Sequence, residues 1–95
     1  MNEAITLIQR TPGSDEVTRR VVLAGLRSIG QAEFYQANAV DIHPEAKFVL
    51  ADYLDYNGET LLDHEGHRYR VLRTYRDGQA LELTVVSASA EEAML

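Results

Sequence analysis

The stretch His67-Arg68-Tyr69-Arg70-Val71-Leu72-Arg73-Thr74-Tyr75-Arg76, followed by Asp77-Gly78 and then Gln79-Ala80-Leu81-Glu82-Leu83-Thr84-Val85-Val86-Ser87, reads as two β-strands joined by a tight turn. On both sides of Asp77-Gly78, β-branched, aromatic and aliphatic residues alternate with polar ones at the period of two that a half-buried strand requires. An Asp-Gly loop favours a type I′ turn. Taking Asp77 and Gly78 as the loop residues sets a register. Arg76 faces Gln79, Thr74 faces Leu81, Leu72 faces Leu83 and Arg70 faces Val85. On the opposite face, Tyr75 meets Ala80, Arg73 meets Glu82 and Tyr69 meets Val86. The leucine face is then the core face, and the Arg73–Glu82 face is outer or interfacial.

Toward the N-terminus a second tight turn, Glu65-Gly66, joins a strand over Glu59–His64 to the same His67–Arg76 strand. It pairs Asp63 with Arg68 and Leu62 with Tyr69. Both hairpins thus bring opposite charges together, so pattern and electrostatics agree on a meander. Upstream of the Asp55-Tyr56-Asn57-Gly58 turn, Ala46–Tyr53 is apolar on both faces, which predicts a strand covered on both sides. Val17–Ile29 alternates at Val21, Leu23 and Gly25, and a glycine inside a strand predicts a bulge or a close backbone approach. Ala4–Gln9 sets Ile5 and Leu7 about Thr6, and Thr11–Glu16 breaks the pattern with Pro12 and Gly13.

Between the second and third strands the period changes. Ser28 and Gln31 have capping-box spacing, and residues 29–42 carry helix formers with a thin apolar stripe, closed by Pro44. The tail from Ala88 to Leu95 is expected to fray, or to order as a short helix on a neighbour. About six antiparallel strands with one short inserted helix predict a mainly β domain over residues 1–95. The expected architecture is a small, strongly bent sheet or β-barrel that hides its edges, with a helical insertion at about 29–42 and a flexible tail at about 88–95.

Composition excludes several function classes. The chain has 95 residues, 45% of them hydrophobic, which fits one domain with one modest core. It has no cysteine, so disulfide scaffolds, thiol catalysis and cysteine-based metal sites are absent. Net charge is −6 and Lys47 is the single lysine, a poor match to phosphate backbones and to anionic membranes. No apolar run approaches the ~20 residues that span a bilayer, and the first residues lack a basic segment followed by an apolar block. A protein made in the cytoplasm is expected.

Chemistry is scarce. Ser14, Ser28, Ser87 and Ser89 sit in no strained elbow motif, and there is no phosphate-binding glycine loop. His64 and His67 flank the Glu65-Gly66 turn and, with His43 or Asp63, would make a zinc set. Only one ligand pair is local, so a solvated hairpin tip is the plainer reading. A calcium loop at Asp55–Gly58 fails, because Gly58 in the glycine slot puts Tyr53 and His64 where carboxylates are required. Glu33, Asp52, Asp55 and Glu59 are acids of the solvated kind. No catalytic residue, cofactor, metal site or small-molecule substrate is expected, and the protein is read as a non-enzyme. The arginines Arg68, Arg70, Arg73 and Arg76 interleave with Tyr69 and Tyr75 in the manner of a single-stranded nucleic-acid surface. Asp63 and Glu82 neutralise two of them, however, and arginine with tyrosine equally marks protein interfaces, which is the favoured reading.

Several segments in order resemble a known family. They are Ile5-Thr6-Leu7-Ile8, Ser28-Ile29-Gly30-Gln31-Ala32-Glu33-Phe34-Tyr35-Gln36-Ala37, Tyr53-Leu54-Asp55-Tyr56-Asn57-Gly58-Glu59, Gly66-His67-Arg68-Tyr69-Arg70-Val71-Leu72-Arg73-Thr74-Tyr75 and Leu81-Glu82-Leu83. Together they resemble the head closure, or head–tail joining, proteins of tailed phages and prophages. The resemblance implies a small β-barrel with a long insertion, assembled as a dodecameric ring in the virion. Such a ring meets the portal or its adaptor on one side and a tail protein on the other. It closes the DNA-filled head, and double-stranded DNA passes through without sequence-specific binding. On this reading the helix and the Asp52–Glu59 region carry the contacts, with Glu33, Phe34, Tyr35, Tyr53, Tyr56 and Arg73 as contact residues. The alternatives are another virion ring protein, such as a tail terminator, or a small barrel that binds single-stranded nucleic acid.

Overall fold

In a computed structural model, which describes residues 3–29 and 44–94, six strands form one closed antiparallel barrel in the order β1-β2-β3-β6-β5-β4. The strands are β1 (Glu3–Arg10), β2 (Val17–Arg27), β3 (Ala46–Leu50), β4 (Leu61–His64), β5 (His67–Asp77) and β6 (Ala80–Ser87). A 3-10 turn at Tyr53–Asp55 lies between β3 and β4, and a short helix α1 (Ala90–Ala93) follows β6. Closure comes from pairing β1 with β4, Thr6 opposite Asp63, Leu7 opposite Leu62 and Ile8 opposite Leu61. Closure caps the sheet at both terminal strands, although among the described residues Val17–Leu23 of β2 and Arg73–Asp77 of β5 have a strand partner on one side only. The mainly β barrel expected from alternation is therefore the observed fold. The predicted helix at 29–42 lies outside the described residues.

Inward positions alternate as the pleat demands. Ile5, Leu7, Ala24, Ala46, Phe48, Leu50, Leu62, Leu81, Leu83 and Val85 form the core, with Val22, Tyr53, Tyr56, Tyr69 and Val71 packed against it. Phe48 is the largest fully buried side chain and sits edge-on to the rings of His64 and Tyr69.

The first hairpin has the expected register: Asp63 faces Arg68 and Leu62 faces Tyr69. Glu65 and Gly66 both adopt positive φ, the type I′ requirement, and Arg68 grips Asp63 through Nε and Nη2 at 2.7 and 2.9 Å. The second hairpin differs from expectation. Gly78 and Gln79, not Asp77 and Gly78, are the loop residues, and Asp77 pairs with Ala80. Gly78 alone has positive φ here, the type II′ pattern with glycine at the first central position. Every pair therefore slides: Arg76 faces Leu81, Tyr75 faces Glu82, Thr74 faces Leu83 and Arg73 faces Thr84. The expected Arg73–Glu82 and Leu72–Leu83 pairings do not occur. Glu82 instead reaches across to Lys47 of β3 at 3.3 Å. A bulge between Val71 and Arg73 then absorbs one residue, leaving Leu72 half-buried.

Other boundaries shift for local reasons. The third strand stops at Leu50 rather than Tyr53, because the Asp52 carboxylate accepts the Leu54 N–H and starts the 3-10 turn. The fourth begins at Leu61 rather than Glu59, whose side chain is committed elsewhere. The second ends at Arg27, two residues short of Ile29. Gly25 pairs regularly with Val49, so the bulge foreseen in β2 lies in β5 instead.

The tail forms α1, and it docks on its own barrel. Ser89 and Glu92 form a reciprocal capping box. Arg68 Nη1 donates to the Glu92 carbonyl, and Arg70 lies 3.7 Å from the Glu92 carboxylate. Arg70, Leu61, Ile8 and Arg19 form one cross-strand row on the outer wall. Glu92 touches the Arg70 end of this row, and Met94 lines a surface hollow with Arg19 at the other. The tail thus straps the row, and its outward apolar residues Ile8 and Leu61 are buried.

Candidate functional site

The barrel has two ends and a wall, and the sequence finishes each differently. One end is plugged by the connection from Ala51 to Thr60. Tyr53 and Tyr56 pack against the core from it, and the Tyr53 N–H donates to the Gln79 carbonyl of the β5–β6 turn. Gln79 also donates from its side chain to Asp52, and the Arg76 guanidinium stacks 3.5 Å above the Tyr53 ring. At the centre of the plug lies Glu59, 4% exposed. Arg20 Nη2 donates to its Oε2 at 2.8 Å, and the Asn57 N–H donates to its Oε1 at 2.6 Å. Burial raises the Glu59 pKa, but the Arg20 hydrogen bond, the backbone hydrogen bonds and the Arg20 charge outweigh it and hold the carboxyl below its ordinary value. Tyr56 donates its hydroxyl to the Glu59 carbonyl, and burial, reinforced by the Glu59 charge, pushes the phenol up. This is a satisfied structural lock.

The other end carries Glu3, the rim residues of β2 and β3, and the Glu65-Gly66 turn. Residues 30–43, outside the described residues, join β2 to β3 at this rim. Inward-facing His64 is 8% exposed and donates from Nε2 to Glu3 Oε1 at 2.8 Å. The Glu65 carboxylate completes a cluster whose three donor atoms all lie within 4.8 Å of one another. Leu26, Glu45, Ala46, His64, Glu65 and Tyr69 line a hollow of about 550 Å³ beside it. His67 is not part of this cluster. It donates to Ser87 Oγ at 2.9 Å, and Ser87 donates to Glu45. The reading of both histidines as a solvated hairpin tip fails for His64, which is buried against Phe48 and bonded to Glu3, a residue that hairpin spacing had no means of nominating.

On the wall, β2 turns Val21 and Leu23 outward at 68% and 61% exposure. Leu54 of the 3-10 turn and Tyr75 of β5 are exposed as well. Of the expected contact residues, Tyr53 and Tyr56 lie half-buried in the plug and Arg73 is exposed on β5. Glu33, Phe34 and Tyr35 lie outside the described residues. The structure brings Tyr53 and Tyr56 together at one end and sets Arg73 apart from them on the adjoining wall.

No helix among the described residues is long and apolar enough to cross a membrane. No protein-family model matches this chain, and no curated protein matches it.

Proposed function

We propose that the protein is a structural ring subunit at the head–tail junction of a tailed phage or prophage, closing the filled head and offering the tail its docking surface. The observation that carries this reading is a closed barrel whose wall nevertheless presents Val21 and Leu23 to solvent from successive outward positions of one strand. The strand that carries them is paired on one side only over Val17–Leu23, so copies join through these side chains or along this edge. Adjacent exposed aliphatic residues on a rigid strand fit one half of a heterologous contact, repeated until the rotation closes a ring. The exposed Leu54 and the outer edges of Tyr53 and Tyr56 supply a contact surface at the plugged end. Residues 29–42, with Glu33, Phe34 and Tyr35, and Arg73 on β5 supply others toward the portal or adaptor and the tail protein.

Charge supports the same reading. A net charge of −6 repels a DNA duplex threading a ring, so the duplex slides rather than adheres. The test is deletion of the gene from the parent genome, followed by electron microscopy of the particles. Tailless heads that have lost their DNA, with free tails alongside, are expected. Full heads joined to tails overturn the proposal, and retention of the purified protein on single-stranded DNA at low salt would favour the nucleic-acid alternative instead.

A further inference from the structure

We propose that Glu3, His64 and Glu65 form a binding site for a divalent transition-metal ion of the Zn²⁺ class at the rim of the barrel. This inference is independent of the assembly role above. One imidazole nitrogen and two carboxylate oxygens converge there, with donor atoms no more than 4.8 Å apart. A tetrahedral ion with bonds of about 2.0–2.1 Å holds its ligand atoms about 3.3 Å apart. Filling the site therefore needs the donor atoms to close by up to about 1.5 Å. The Glu3–His64 hydrogen bond, at 2.8 Å, occupies the place the ion would take: the imidazole, in its Nδ1–H tautomer, would offer the Nε2 lone pair to the metal, and the Glu3 carboxylate would bind the same ion.

Three features favour a cation over a purely structural hydrogen bond. First, among the described residues neither Glu3 nor Glu65 has an arginine or lysine ion-pair partner, although Asp15, Glu59, Asp63, Glu82 and Glu92 each have one. The two carboxylates and the histidine gather within 4.8 Å of one another. Arg27 lines the adjoining hollow but forms no ion pair with either. Second, His64 is held from behind. The Phe48 ring lies 5.1 Å away in an edge-on arrangement, which fixes the imidazole plane with Nε2 aimed at the rim. Third, the site opens on the 550 Å³ hollow, so an ion has an approach and a fourth position for water. The donor set selects the metal class. An imidazole with two carboxylates suits zinc or a similar first-row ion, whereas Mg²⁺ prefers all-oxygen octahedra.

The full-length chain, stripped with chelator and dialysed, is titrated with ZnCl₂ by calorimetry near neutral pH. Co²⁺ absorption then reports coordination geometry. The expected result is one saturable ion per chain at micromolar affinity or tighter, with an intense tetrahedral Co²⁺ band. Glu3→Gln and Glu65→Gln should each weaken binding about tenfold or more, since loss of even an outer-shell partner costs ~10–100-fold. His67→Ala should leave affinity unchanged. Glu65 is exposed on a turn, so Glu65→Gln keeps the fold, which circular dichroism verifies. Absence of saturable binding overturns the proposal, and so does Zn²⁺ affinity in Glu65→Gln equal to that of the unaltered chain.

Discussion

At the plugged end of the barrel, an inward carboxylate is matched on every side. Glu59 receives Arg20 on one oxygen and the Asn57 amide on the other, beneath two tyrosines. At the rim, Glu3 and Glu65 meet His64 with one hydrogen bond between them and no guanidinium. Both ends place acids where a small barrel runs out of apolar side chains. The difference lies in what the surrounding backbone supplies. At the plug, β2 brings the Arg20 cation and the ten-residue connection an amide donor to Glu59, whereas at the rim a two-residue turn brings only another carboxylate to His64. A buried polar group that is fully bonded contributes rigidity, and one left partly satisfied retains capacity for a ligand.

The largest perturbation strikes the floor shared with the rim. Phe48→Ala should cost about 3–5 kcal/mol, measured by urea unfolding, because it opens a cavity in the core and removes the backing of His64. It should weaken Zn²⁺ binding as well, although the ring is not a ligand. A loss of stability with unchanged affinity would show that Phe48 does not position the imidazole.

Next comes the lock. Arg20→Ala leaves a buried carboxylate with its amide donor alone and should cost about 2 kcal/mol, an estimate kept low because the arginine is partly solvated. The acid dependence follows from the sign of the shift. Glu59 is more acidic folded than unfolded, so its contribution is complete above the ordinary carboxylate range and is lost as pH falls through the depressed folded value. Glu59→Gln should therefore flatten the acid limb of the stability–pH curve. An acid limb unchanged in Glu59→Gln would show that the lock does not hold this carboxyl below its ordinary range.

A smaller effect is expected from the strap. Glu92→Ala removes the capping box and the Arg70 contact together and should lower stability by about 1 kcal/mol, or some 4–8 °C in a domain of this size. The smallest effect has the opposite sign. Glu65 holds a φ of 51°, which asparagine accepts more readily. Glu65→Asn should raise stability by about 0.5 kcal/mol while weakening the metal site. Gain of stability with loss of Zn²⁺ affinity would show that the turn retains a carboxylate at the expense of its own backbone.

Much of the fold was legible because alternation and turn chemistry are local. Glu65-Gly66 fills both positive-φ positions of its turn, so the first register could be read directly. The second could not. Gly78 serves equally as the second residue of one turn type or the first of another, and the choice moves every cross-strand pair. The clamp of Gln79 onto Asp52 and Tyr53 ties the turn to the plug in the observed form, a contact across the barrel that no dipeptide encodes. The rim cluster was half legible. His64 stood out beside its turn, but Glu3 enters only because β1 and β4 close the barrel, and β1 reads in sequence as an ordinary strand. Arg20 and Glu59 were invisible as a pair for the same reason: one lies in a strand, the other in a loop read as solvated.

That closure also has a consequence in time. The β4–β5–β6 meander assembles from neighbours in sequence, but the seam between residues 6–8 and 61–63 joins distant parts of the chain. Loop-closure entropy opposes such contacts until most of the barrel is in place, and domains of this kind fold in milliseconds to seconds rather than microseconds. During synthesis the N-terminal hairpin must wait with both edges bare, one for β4 and one for β3, whose own far edge is filled only by β6. The finished barrel keeps only short one-sided stretches of β2 and β5, but its nascent form offers whole strand edges, and the speed of the seam sets how long they stay exposed.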